Sequence, residues 1–130
     1  MASSIARVAA VAAATGLAGT AAFQLLLALG VPWGRAAWGG DHDRLPAALR
    51  VASALSAGVL LIAAFVVLGR AGYWSGASAL FRWGTWALVG LLAFSALGNF
   101  ASASRWENFL LGPVALTVSL LCLIVALKSS

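Results

Sequence analysis

The side chains able to do chemistry are few and scattered. The chain holds one histidine, one cysteine, three acids and eight basic residues among 130. Asp41-His42-Asp43 is the densest group of metal-type ligands, but three consecutive side chains cannot all converge on one ion. A metal there would need Glu107 or a second subunit to complete its shell, and no metal site is expected. His42 stands alone, which rules out a bis-histidine haem within one chain. The lone Cys122 rules out an internal disulfide and a Cys-x-x-Cys redox pair. No Ser-x-x-Lys, Gly-x-Ser-x-Gly or His-Glu-x-x-His pattern occurs, nor a glycine-rich phosphate loop. With no catalytic constellation in view, the chain reads as a non-enzyme without a cofactor.

What remains is a set of polar residues at the ends of apolar stretches, where they are costly and tend to face the interior of a bundle. Gln24 lies sixteen residues after Val8, and Asn99 lies sixteen after Trp83. On helices running in the same direction, the two carboxamides fall at similar depth. Ser95, Asn99 and Ser102 share one helical face, as do Arg50, Ser53 and Ser56 or Ala57. Glu107 and Asn108 open the last apolar stretch, where a carboxylate suits the positive end of a helix dipole. Gln24, Arg50, Asn99, Ser102 and Glu107 are thus expected to form a polar cluster, with Arg50–Glu107 as its ion pair. Such a cluster serves either as a structural network locking helices together or as a pocket for a small molecule or lipid headgroup.

The segment from Val31 to Pro46 is the most distinctive connection. Trp33 and Trp38 suit headgroup depth, Arg35 and Arg44 suit phosphates, and Gly34, Gly39 and Gly40 permit sharp turns. It is either a plain interfacial loop or a lid that turns one of the two indoles inward over the Gln24–Asn99 region. On a short helix, tryptophans five apart point about 140° away from each other, so one ring can meet lipid while the other covers the bundle mouth.

Positioning these residues falls to elements that composition already constrains. The chain is 63% hydrophobic and 8% charged, with a mean hydropathy of +1.02. Soluble domains are about 45–50% apolar and about 25% charged, so a soluble enzyme, a disordered chain and a disulfide scaffold are all excluded. Lipid is the expected solvent. The net charge of +5 comes from cations scattered singly between apolar runs. That favours anionic headgroups over nucleic acid as the counter-charge.

Four stretches approach the length needed to cross about 30 Å of hydrocarbon at about 1.5 Å per residue. They cover residues 8–29, 47–68, 80–103 and 109–127 of a single domain, residues 1–130. The first resembles a secretory leader, but its apolar run is too long for a usual signal core, so it is expected to be retained. Four crossings put both termini on one side with the 70–82 connection, and the 31–46 and 101–108 connections on the other. Each side carries four Lys and Arg residues, so the positive-inside rule does not choose, and cytoplasmic termini are taken as the expectation. Ala28-Leu29-Gly30 and Ala96-Leu97-Gly98, each followed by a helix opened by Pro46 or Pro113, suggest a faint internal duplication.

The residues Pro32 to Gly40, then Leu45-Pro46 and Arg50, then Asn99-Phe100-Ala101-Ser102, then Glu107 and Pro113, resemble a group of small bacterial four-helix membrane proteins of unassigned function. The resemblance implies the fold and a bacterial inner-membrane location, and brings no functional residue with it. The sequence is therefore read as an all-α, membrane-embedded four-helix bundle. The expected role is an accessory, scaffold or self-associating protein in the bilayer, alone or with a membrane-protein partner. The alternative is a binder or carrier of a small amphiphile or lipid, using a pocket on the 31–46 side.

Overall fold

A computed structural model describes residues 2–129. Within them the chain forms an all-α bundle of four helices: α1 (Ser4–Ala28), α2 (Ala47–Arg70), α3 (Ser78–Phe100) and α4 (Gly112–Lys128). A π-helical turn, Glu107–Leu111, leads directly into α4. All four are long and apolar enough to cross a membrane, the last counted as Glu107–Lys128. These features are compatible with a multi-pass membrane protein.

The helix ends follow local chemistry that hydropathy does not weigh. α1 starts four residues before the apolar run because Ser3 caps it, its Oγ accepting from the Ala6 amide at 3.1 Å. α1 and α2 both stop at a glycine in the left-handed region, Gly30 (φ 97°) and Gly72 (φ 89°). At each stop the next two amides turn back onto the last helical carbonyls, as when Gly30 donates to Leu27 and Val31 to Leu26. Gly98, the counterpart of Gly30 in the suspected duplication, lies inside α3 instead, so the two triplets play different structural parts. The last helix is irregular at its start. The Gly112 amide reaches back five residues to the Glu107 carbonyl, and Pro113 follows without an amide of its own.

In lipid, helices are held by close packing and hydrogen bonds more than by hydrophobic expulsion from water. The alanine face of α1, Ala6, Ala9, Ala10 and Ala13, is buried against α2 and α4. A Cβ on Gly16 would lie 2.7 Å from the Val118 side chain, so α1 and α4 approach there closely. Ser119 of α4 donates to the Val89 carbonyl of α3 at 2.8 Å. The core formed by Ala9, Ala13, Leu17, Val67, Val118, Cys122 and Val125 fills the half of the bundle that contains the termini. At that end Arg7 stacks on Tyr73 at 4.2 Å and donates to Ala71, while Arg70 donates to the Ser129 carbonyl.

α2 and α3 behave differently along their length. Near their short connection they are in tight contact, since Cβ atoms on Gly69 and Gly84 would lie 2.7 Å from the Phe81 ring and 2.9 Å from Val66. Toward their far ends they face each other with leucines and valines, and the space between them opens.

Candidate functional site

The opening between α2 and α3 is the mouth of a half-open cavity of about 510 Å³. That lies within the range of about 300–1,000 Å³ usual for small-molecule sites. Its walls are apolar, including Leu55, Val59, Leu88 and Leu91, and its floor is the top of the core at Leu17, Ala63 and Val118. From Leu17 to Gln24 on α1 it is about 10 Å deep, at about 1.5 Å per residue. Leu55, Val59 and Leu91 remain largely exposed, so the cavity opens sideways, toward the surface that meets lipid in a spanning bundle.

The polar residues gather at the end away from the termini. Gln24 of α1, Ser56 of α2, Ser95 and Asn99 of α3, and Glu107 all line the cavity, together with Trp38. The Gln24 Oε1 atom is buried and has no hydrogen-bond partner. Several other side-chain groups in the lining are occupied. Ser56 donates to the Ala52 carbonyl at 2.9 Å, and Thr20, also in the lining, donates to Gly16 at 2.8 Å. Asn99 Nδ2 donates to the Ser95 carbonyl at 2.9 Å. Gln24 and Asn99, expected at similar depth, both line the cavity, and no hydrogen bond joins them.

Glu107 organises the cavity's cap. Its Oε1 accepts from the Gly39 amide at 2.9 Å and from the Ser102 hydroxyl at 2.5 Å. Ser102 supports Glu107 from behind and does not line the space. Ser104 donates to the Arg35 carbonyl at 2.6 Å, a second strut between the two connections on this side. Asn108 donates from Nδ2 to the carbonyls of Asn99, Phe100 and Ser102, so its amide caps the end of α3.

The 31–46 segment is a folded lid. Two short 3-10 turns, Gly34–Ala36 and Trp38–Gly40, are drawn back by the Gly34 amide bonding to the Asp43 carbonyl. Ala37 and Leu45 bury against Leu27 of α1. Arg35 pairs with Asp43 at 2.8 Å on the exposed outer surface, and that carboxylate raises the guanidinium pKa through the hydrogen bond and its charge. Trp33 faces outward and is more than half exposed. Trp38 is 40% exposed yet lines the cavity, and its indole Nε1 donates to Ser53 of α2 at 3.0 Å. This indole is thus latched to α2, where contact with the ends of α1 and α3 was expected. Trp38 holds a φ of 50°, a conformation that costs a residue with a side chain about 1–2 kcal/mol. The indole bond and the Gly39–Glu107 bond hold it there.

Arg50 corrects the sequence reading. It does not pair with Glu107; its Nε donates to the Ala28 carbonyl at 2.8 Å, and its guanidinium lies against Gly30. The cause is geometric and electrostatic. Arg50 sits in the first turn of α2, beside the end of α1, where the negative end of the helix dipole and a free carbonyl attract a cation. Arg50 therefore borders a shallow outer groove with Ala28 and Val51, outside the main cavity.

Among the described residues no group of three or more His, Cys, Asp or Glu side chains could hold a metal ion. Ser53, the latch for Trp38, and the leucine walls were not singled out as site residues from sequence. Ser53 carries a signal, a serine on the Arg50 face, but nothing local names its partner. Compared with family models, curated proteins and solved structures, the chain matches none.

Proposed function

We propose that this protein binds a small amphiphile within the membrane, with the chain between α2 and α3 and the polar head under the Trp38 lid. The observation that carries the reading is the cavity itself, apolar below, polar at one end and open on its flank. A buried, unpartnered Gln24 Oε1 sits at the polar end. A buried acceptor left without a donor costs about 1–3 kcal/mol. The role is binding or carriage, with no turnover assigned.

The outward faces of the helices are mainly apolar, which lipid contact alone explains. They therefore lend no particular weight to an accessory or self-associating role. We take the location as the cell membrane of a bacterium, following the resemblance noted above, with cytoplasmic termini.

The test is quenching of tryptophan emission by an amphiphile brominated along its chain. The difference between the native protein and Trp38→Phe isolates the cavity-lining indole. Saturation of that difference at a low probe-to-lipid ratio supports the reading. Quenching that rises only in proportion to probe in the bilayer, as for a lipid-facing ring, overturns it.

A further inference from the structure

Resting on that reading, we infer that the head group is a protonated amine: the cavity is built for a cationic, hydrogen-bond-donating amphiphile and against a phosphate-headed one. The inference comes from the charge at the polar end. Four donors there are committed elsewhere: Thr20 to Gly16, Ser56 to Ala52, Asn99 Nδ2 to Ser95, and Trp38 Nε1 to Ser53. The Glu107 carboxylate lies in the lining, where the remaining side-chain donors, on Gln24 and Ser95, are neutral.

The charge is one-sided. Among the described residues, Glu107 is the only ionisable one in the lining, and none of the nearby arginines takes part. Arg50 is bound to the end of α1, and Arg35 is bound to Asp43. The two groups that bond Glu107 Oε1, an amide and a hydroxyl, are neutral. A half-buried carboxylate with neutral donors alone still attracts a cation. A phosphate head would meet the same carboxylate as a like charge and find no cationic partner in the cavity.

A hydrogen bond to a charged group outweighs one to a neutral group, enough for about a tenfold preference for an ammonium over a hydroxyl of the same chain length.

The experiment uses the whole protein in neutral-lipid nanodiscs. Dodecylamine, dodecanol and dodecyl phosphate each compete with the brominated probe. The expected order is amine first by about tenfold over alcohol, with phosphate weakest. Glu107→Gln keeps a carbonyl for Gly39 and Ser102 and so retains the lid, but should collapse the amine preference toward equality. Gln24→Leu, which leaves Glu107 untouched, should keep the amine preference. Equal binding of amine and alcohol, or phosphate as the tightest ligand, overturns the head-group assignment while leaving the cavity as a binding site. Failure of all three to displace a saturably bound probe also overturns it. Absence of any saturable binding removes the binding reading itself.

Discussion

Glu107→Ala is the perturbation that separates a latched lid from a loop resting on the surface. The substitution removes the acceptor of both the Gly39 amide and the Ser102 hydroxyl. Each bond to a charged acceptor contributes about 1.5–3 kcal/mol, and the lower end applies because Glu107 is half-buried at a water-facing edge. Losing both should cost about 3 kcal/mol of stability. Only the Gly39 bond ties this carboxylate to the lid, so about 1.5 kcal/mol should appear as easier lid opening, about tenfold in the opening equilibrium. Hydrogen exchange read on a peptide spanning residues 37–42 measures this directly. Exchange at the Gly39 amide should quicken by about tenfold in Glu107→Ala and by less in Glu107→Gln, whose carbonyl still accepts. Ser119→Ala serves as the control, because it breaks only the bond from α4 to α3 at Val89. It should lower overall stability and leave the lid's exchange unchanged. Unaltered protection at Gly39 in Glu107→Ala would refute the latch, and uniform acceleration over all four helices would show that the carboxylate supports the whole bundle instead.

Other consequences follow from the same packing. Because Arg50 and Glu107 share no partner, their alanine substitutions should add to within about 0.5 kcal/mol in a double-mutant cycle of stability in detergent; a coupling above 1 kcal/mol would restore the ion pair. Gly69→Ala should destabilise by about 1–3 kcal/mol, since the new methyl meets a buried Phe81 ring. Gly19→Ala, with nothing within 4 Å, should be neutral or stabilising in the same thermal assay. Ser53→Ala should release Trp38, read as a red shift of the emission component lost in Trp38→Phe; an unchanged spectrum would mean that packing alone holds the indole. Reporter fusions after Arg7 and after Lys128 should report the same compartment, because four crossings return the chain to its starting side.

The four helices were legible because lipid demands long apolar runs, and those dominate every other signal in this chain. Their ends were less so: Ser3 extends α1, and Gly72 lets α2 run on to Arg70, through local hydrogen bonds that hydropathy ignores. That Gln24 and Asn99 both reach the cavity agrees with counting residues along helices of the same direction. The fate of Arg50 did not, because an exposed backbone carbonyl at the end of α1 competes with a carboxylate, and only the packed arrangement shows which is nearer. The lid was open to inference from Trp38 and the glycines around it. Its latch was not, since Ser53 and Glu107 meet it from distant parts of the chain. The cavity among the helices had no sequence signature. It arises where the tight contacts at Gly69 and Gly84 give way to facing leucines and valines.

Native mass spectrometry of the protein released from its own membrane tests the central claim most directly. The protein should carry one small amphiphile per chain, and Ala63→Phe, which fills the cavity floor, should fly without it at equal folded yield. A native chain that emerges bare, or adducts equal in the native protein and Ala63→Phe, would contradict the assignment of the cavity as a binding site.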